Sequence, residues 1–507
     1  MTRILLPAFF LFAAFSLSAQ NEGDQFFGAG AVHEIRFQFN QPGYWDSLKQ
    51  NYTLDVYMRC DLTVDGQPYP QCGVKFKGNS SYNNPGKKKP FRIDFEEYVD
   101  SQNCDGLKKL VLNNAFKDPT LLREKLMLDF LNEHGIPAPR AGFARLFVND
   151  HYWGLYSVVE DVNKTFLKDR FDNKGGNLFK GDPKGLLTWK GPDQSLYQND
   201  YELKTNETAN DWSDLLRFLN ALNNTPAAQV VDSVGKYMNL ENWLNYWAAH
   251  NLFVNLDSYI GSGHNYFIYH NTDTDRFEWI TWDVNEAFGN FQMNIPLQNL
   301  KVLPFTYIPQ PFQQRPMMNR LLTDAGFKQQ LADRLCALLQ DFNNAQMDAR
   351  IDSLADLIRI DVYADTLKFF SNSQFEQNLG QDLTPGPGAP GVTTIAGLKP
   401  FISARRTSLL QQLAAYGCMA TETTLADAPA AWRIFPNPAD GFIWLDPPGT
   451  IPESLVFYNP AGDAVKEWTP ENEGPQLLDI RTLPRGFYTL SARTSKGIFA
   501  CKVFIIR

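Results

Sequence analysis

The sequence predicts an α+β body with a β-rich front half and a helical back half, followed by a small all-β sandwich. Three observations carry this: strand patterns precede the first helical pattern, a short unpatterned stretch follows Gly417, and the last 76 residues show no helical period.

Residues 53–64 and 72–77 alternate as strands, and Pro90-Phe-Arg-Ile-Asp-Phe95 puts Phe91, Ile93 and Phe95 on one face. Asp118 as N-cap and Pro119 at the first helical position predict a helix through Leu121, Leu122, Leu126 and Phe130 that stops at Gly135. Ala144–Val148 and Tyr152–Val159 flank Asn149-Asp150, a hairpin signal. Asn239 opens a second helix with Leu240, Trp243, Leu244 and Trp247 on one face. Thr384 to Gly391, rich in Pro and Gly, is a surface loop, and Thr421–Ala430 reads as a linker. Beyond it, runs such as Phe442–Leu445, Ser454–Tyr458, Gly486–Leu490 and Cys501–Ile506 alternate with Gly, Pro and Asn turns.

The first residues read as a leader. Arg3 supplies a positive start, Leu5 to Leu17 an apolar stretch, and Leu17-Ser18-Ala19 a small-residue cleavage site before Gln20. The expected divisions are a signal peptide at 1–19, a principal domain at 20–417, a linker at 418–431 and a sandwich at 432–507. No later stretch reaches the ~18 apolar residues a membrane span needs, so no transmembrane segment is expected in the mature chain. A net charge of −9 over 507 residues gives no basic face for phosphate backbones, which argues against nucleic acid as a partner. Export permits disulfides, and Cys60 and Cys72, flanking the turn Asp65-Gly66-Gln67-Pro68, are the favoured bridge among six cysteines.

Standard signatures are missing: there is no G-x4-G-K-[ST], H-E-x-x-H or G-x-S-x-G. Asn271–Asp275 looks like a calcium loop but has Arg276 and Trp282 where Gly and Glu are required, so it reads as a hairpin tip. That hairpin brings Asn265, which opens one strand, beside Asp283, which ends the other. Asp257 lies eight residues before Asn265, after an apolar helix. Asp, Asn, hairpin, Asp is the order that holds magnesium on a nucleotide, the first Asp orienting an acceptor hydroxyl. Asn and Asp at strand ends also simply cap turns. Upstream, Val74–Lys77 and Lys87–Arg92 flank Gly78–Gly86, a polar loop that could offer backbone N–H groups and lysines to phosphates, or be a solvated basic turn. Glu124, early in an apolar helix, could pair with a phosphate-binding lysine or complement the helix dipole. The strand ending in Glu160-Asp161 has the layout of a hinge facing an adenine.

Two resemblances add to this reading. Phe435-Pro-Asn-Pro438 with Asp440-Gly441, Leu483–Leu490 and the terminal Lys502–Arg507 resemble the C-terminal sorting domain of the type IX secretion pathway. That resemblance implies recognition by the type IX machinery, secretion across an outer membrane and anchoring at the cell surface. Gly78–Ser81, Lys88–Asp94, Asn113–Leu126, Gly135–Arg140, Tyr152–Leu167 and Trp282–Gly289 resemble the spore-coat CotH family of kinase-like proteins, in family order over most of residues 30–417. This implies an atypical protein-kinase fold using ATP and Mg2+ to phosphorylate Ser/Thr-type protein acceptors. Carried over, Asp283 is the metal-binding Asp, Asn265 its metal partner and Asp257 the catalytic acid. Lys77, Lys89 and Arg92 are phosphate contacts, with Glu124 as ion-pair partner and Glu160 on the nucleotide side. Asn285 stands where the family usually has a second Asp, and the eight-residue step from Asp257 to Asn265 exceeds the five of ordinary protein kinases. The rival expectation is a catalytically silent surface-binding protein on the same fold.

Overall fold

A computed structural model describes residues 21–386, 394–418 and, with short gaps, 433–505. The expected leader, most of the Pro/Gly loop and the linker at 421–430 lie outside the described residues. The chain divides between Ala420 and Thr421 into two compact units, each of mixed or all-β structure.

Seven strands open the first unit: β1 (Val32–Gln38), β2 (Met58–Val64), β3 (Gln67–Phe76), β4 (Phe91–Asp94), β5 (Lys109–Asn113), β6 (Ala141–Val148) and β7 (His151–Glu160). They close into a barrel in the order β1-β2-β3-β4-β5-β7-β6. Every contact is antiparallel except the closing one, where β1 lies parallel to β6 from Val32↔Phe143 to Phe37↔Val148. Alternation does the sorting. Ile35 and Phe37 of β1 point inward with Val74, Phe76, Phe91 and Ile93, and Phe91 packs edge-on against Phe37 with ring centres 5.3 Å apart. Asn149 and Asp150 both have positive φ (46° and 64°), the geometry of a two-residue type I′ turn between β6 and β7.

A second sheet, in the order β11-β10-β8-β9, comprises β8 (Leu178–Gly181), β9 (Tyr201–Leu203), β10 (Tyr266–Asn271) and β11 (Arg276–Thr281). The helix Leu240–Leu252 packs on it. Its N-cap Asn239 accepts from the Asn242 N–H at 3.2 Å, and Trp243 meets Trp279 of β11 with ring centres 4.5 Å apart. Further helices, among them Ala325–Leu338, Asn344–Ala364 and Leu398–Leu413, complete a large shared core.

Two expectations are corrected here. The helix predicted from Asp118-Pro119 runs from Arg123 to Glu133. Its N-cap is Leu122, which makes no side-chain cap bond; Asp118 accepts the Arg123 N–H at 2.9 Å from five residues away, with Leu121 at a left-handed φ of 59° between them. Cys60 and Cys72 are direct partners across β2 and β3, yet both are buried free thiols whose sulfurs turn to the carbonyls of Asp61 and Tyr69. The disulfide instead joins Cys336, on the helix Ala325–Leu338, to Cys418.

The second unit has two sheets, β12-β13-β16 and β15-β14-β17-β18, from β12 (Arg433–Phe435), β13 (Phe442–Asp446), β14 (Ser454–Tyr458), β15 (Ala464–Trp468), β16 (Gln476–Asp479), β17 (Gly486–Thr494) and β18 (Gly497–Ile505). Inward residues of both sheets, including Ile443, Leu445, Leu455, Leu478, Leu490 and Val503, share one apolar cluster.

Candidate active site

A cleft of about 940 Å³ opens between the barrel and the β8–β11 sheet. The β10–β11 hairpin builds its floor. Tyr266 pairs with Thr281, so Asn265 and Asp283 sit just outside that last pair. Both take left-handed backbone conformations (φ 58° and 53°) that turn the chain out of the ladder, a conformation Asn and Asp tolerate better than most residues. Asp257 joins them: Asn265 Nδ2 donates to its Oδ2 at 3.2 Å and to its carbonyl at 3.0 Å. The predicted trio thus lines one cleft, and Asn285 lines it too.

The eight-residue step is explained by the loop between them. Gly261 N–H and Gly263 N–H donate to Ser258 O, and Ser262 N–H donates to Leu256 O at 2.8 Å, folding residues 257–265 into a compact turn. The backbone passes so close to itself that a Cβ on Gly261 would lie 1.9 Å from Leu256 O. Gly261→Ala should therefore displace Asp257 and lower any turnover by about 10²-fold, the cost of an ångström-scale misplacement. Steady-state kinetics with a circular-dichroism control for folding checks this; unchanged turnover would refute it.

Most cations in the cleft are already paired: Lys75 with Asp55 (2.6 Å), Arg92 with Asp161 (3.1 Å) and Lys117 with Glu286 (2.7 Å), and, at the second sheet, Lys180 with Asp182 (2.6 Å) and Lys204 with Glu202 (2.6 Å). Lys77 differs. Among the described residues no carboxylate lies within 4 Å of its Nζ, which donates to Asn113 Oδ1 at 2.9 Å. Asn113 Nδ2 in turn donates to Glu124 Oε1 at 2.7 Å, so the expected Lys77–Glu124 partnership runs through an amide. Burial lowers the Lys77 pKa, opposed by the negative charge of Asp283.

Glu124 is pushed up to about 7, by burial first and then by Asp283, with Asn113 and Lys77 pulling it down. A carboxyl raised above its unfolded value binds an extra proton when folded, so its contribution to stability is lost as pH rises from about 4.5 to about 7. Glu124→Gln keeps the acceptor for Asn113 and should flatten the fall of Tm across that window. An unchanged Tm–pH curve would refute it.

Two predicted contacts are not brought to the cleft. Lys89 donates to the carbonyls of Tyr82 and Asn84, tying the Gly78–Gly86 loop to itself. Glu160 is buried between Arg140 (2.5 Å) and Arg170 (3.3 Å). Its neighbour Asp161 lines the cleft instead, holding Arg92. Sequence reasoning missed His264, whose Nε2 meets Asp257 Oδ1 at 2.8 Å, and the Lys117–Glu286 pair that spans the cleft wall. Adjacency to Asn265 was the one signal for His264; Lys117 and Glu286 lay within the family-like motifs, but 169 residues apart nothing in the spacing paired them. Burial lowers the His264 pKa, but the hydrogen bond and charge of Asp257 outweigh it and leave a net upward shift.

The site can be tested for magnesium. Among the described residues no cluster of three or more His, Cys, Asp or Glu side chains could hold a metal ion by itself. Magnesium on a nucleotide needs less, one or two carboxylates with phosphates and water supplying the rest. Among the described residues no donor bonds the Asp283 carboxylate, and Asn265 Oδ1 accepts from none. These hard oxygens, half-buried and facing the cleft, fit such an ion.

Residues 74–383 match the family described as CotH kinase protein, and the chain belongs to that family. Residues 433–507 match the secretion system C-terminal sorting domain, which directs the protein to secretion and cell-surface attachment through the type IX machinery. Among the described residues no helix is long and apolar enough to cross a membrane. The chain is similar to inner spore coat protein H of Bacillus subtilis, at 30% identity over 40% of this chain and 55% of that protein. It is also similar to spore coat protein homolog 1 of Rhizopus delemar, at 24% identity over 65% of this chain and 55% of the relative, and to invasin CotH7 of the same organism, at 25% over 54% and 47%. The chain spans about half the length of the curated relatives it matches. A solved chain from the Shewanella oneidensis MR-1 HipA, HipB and operator DNA complex aligns over 61% of this chain and 58% of its own at 12% identity, with a TM-score of 0.26, too low to argue from.

Proposed function

We propose that the cleft is a phosphotransferase site and the protein an exported, cell-surface atypical kinase that moves the γ-phosphoryl group of ATP to Ser/Thr-type protein acceptors. The observation that carries this reading is the convergence of Asp257, Asn265 and Asp283 opposite Lys77, the one cleft lysine without a carboxylate partner among the described residues. Asn265 and Asp283 would hold Mg2+, which when bound neutralises the charge on the phosphates. Lys77, steadied by Asn113, presents its ammonium to the phosphates, while Arg92 is held back by Asp161. Asp257 orients the acceptor hydroxyl and takes up its proton as the new P–O bond forms and the γ-phosphorus bond to the β,γ-bridging oxygen breaks, releasing ADP. The Gly78–Ser81 stretch lines the same cleft and offers backbone groups to the nucleotide.

Calorimetric titration of ATP into the mature chain, with and without Mg2+, tests the reading. Binding that requires magnesium supports it. No binding under either condition would sink it and leave a surface protein that keeps the family fold for adhesion.

A further inference from the structure

We infer that His264 is a positioning residue whose Nε2–H fixes the Asp257 carboxylate for transfer, a role that rests on the phosphotransferase reading of the cleft. The geometry around Asp257 carries it. This carboxylate is only 13% exposed, and its two oxygens are approached by three side chains of one loop. His264 Nε2 lies 2.8 Å from Oδ1, Ser262 Oγ donates to Oδ1 at 3.3 Å, and Asn265 Nδ2 donates to Oδ2 at 3.2 Å.

The three are not equivalent. The His264 contact is the shortest and comes from a ring donor with a fixed direction. Ser262 is a long contact that also reaches the Ser258 carbonyl at 3.4 Å. Asn265 divides its amide between the backbone and the side chain of Asp257 at 3.0 and 3.2 Å. His264 is therefore the group that sets the carboxylate's rotation about its own Cβ–Cγ bond. An acceptor hydroxyl needs one lone-pair direction of that carboxylate aimed at it, and free rotation would scatter the direction.

For this contact Nε2 must carry the hydrogen, because Asp257 Oδ1 is an acceptor only. In that tautomer Nε2 is a donor and does not itself take up the acceptor's proton. A side chain that keeps an N–H near the same place should substitute for the ring. His264→Gln provides one; His264→Ala does not.

The test uses the full mature chain and Mg–ATP, following release of labelled phosphate from γ-labelled ATP to water and to the chain's own hydroxyls. His264→Ala should lower kcat by about 10²-fold while KM for ATP and the calorimetric ATP affinity stay within twofold, and His264→Gln should restore most of kcat. Wild-type kcat in His264→Ala overturns the role alone, and so does an equal loss in both variants, which would mark His264 as a loop-packing residue. A wild-type chain that transfers no phosphate overturns the phosphotransferase reading and the His264 role with it.

Discussion

Asp283→Ala should bind ATP no better with magnesium than without it, while its Tm stays level with the wild type or rises. The two halves of this result have one cause. Burial, with the nearby charge of Asp257, pushes the Asp283 carboxyl pKa upward, and Lys77 only partly offsets them. Among the described residues no hydrogen-bond donor satisfies the carboxylate. The folded state therefore holds the ionised group at a cost at neutral pH, a cost that truncation removes. What stability loses by keeping it, a cation beside it would recover, the pattern expected where a site is kept for binding and not for folding. Calorimetry with and without Mg2+, beside thermal unfolding, reads both halves. Wild-type affinity in the variant would end the metal assignment, and a collapse of Tm would assign Asp283 to the scaffold.

Lys88→Met should cost about 3–5 kcal/mol of unfolding free energy, the penalty for leaving one member of a buried ion pair alone. Lys88 and Asp365 have side chains 0% and 1% exposed, and Lys88 Nζ donates directly to Asp365. Asp365 ends the helix Asn344–Ala364 and reaches into the barrel wall, where the Leu155 N–H donates to it at 3.0 Å. Gly154 makes room for it: a Cβ there would lie 2.5 Å from the carboxylate. The pair thus pins a helix of the back half to β7 and to the segment that leads from the Gly78–Gly86 loop into β4. Urea unfolding measures the loss. The double variant Lys88→Met/Asp365→Leu should recover much of it, because neither charge is then stranded. A loss below about 1 kcal/mol in Lys88→Met would mean that water reaches the pair.

What could be read from the sequence was local, and what could not was long-range. Asn149-Asp150 and Asn239 act through their own neighbours, so their turn and cap follow from residue type alone. The Asn265–Asp283 encounter was legible for the same reason, since a hairpin needs only its two strands. The placement of Asp257 was not legible, because the eight-residue spacing makes sense only once Gly261 is seen folded against Leu256. Lys89 misled because a lysine beside a glycine-bounded loop looks the same whether it faces phosphate or ties the loop to itself. Glu160 misled because its partners Arg140 and Arg170 lie 20 and 10 residues away on other elements. Cys336–Cys418 joins residues 82 apart, beyond any turn signal, whereas the Cys60–Cys72 pairing had a turn to suggest it and no sulfur geometry to test it.

The parallel seam between β1 and β6 also sets a clock. Val32 finds its partner Phe143 only after more than a hundred intervening residues exist, so the first strand waits unpaired on that side while four others assemble. Contacts of such long sequence separation form late and slowly. Once the seam closes, the sheet has no free edge on which a neighbouring copy could add a strand.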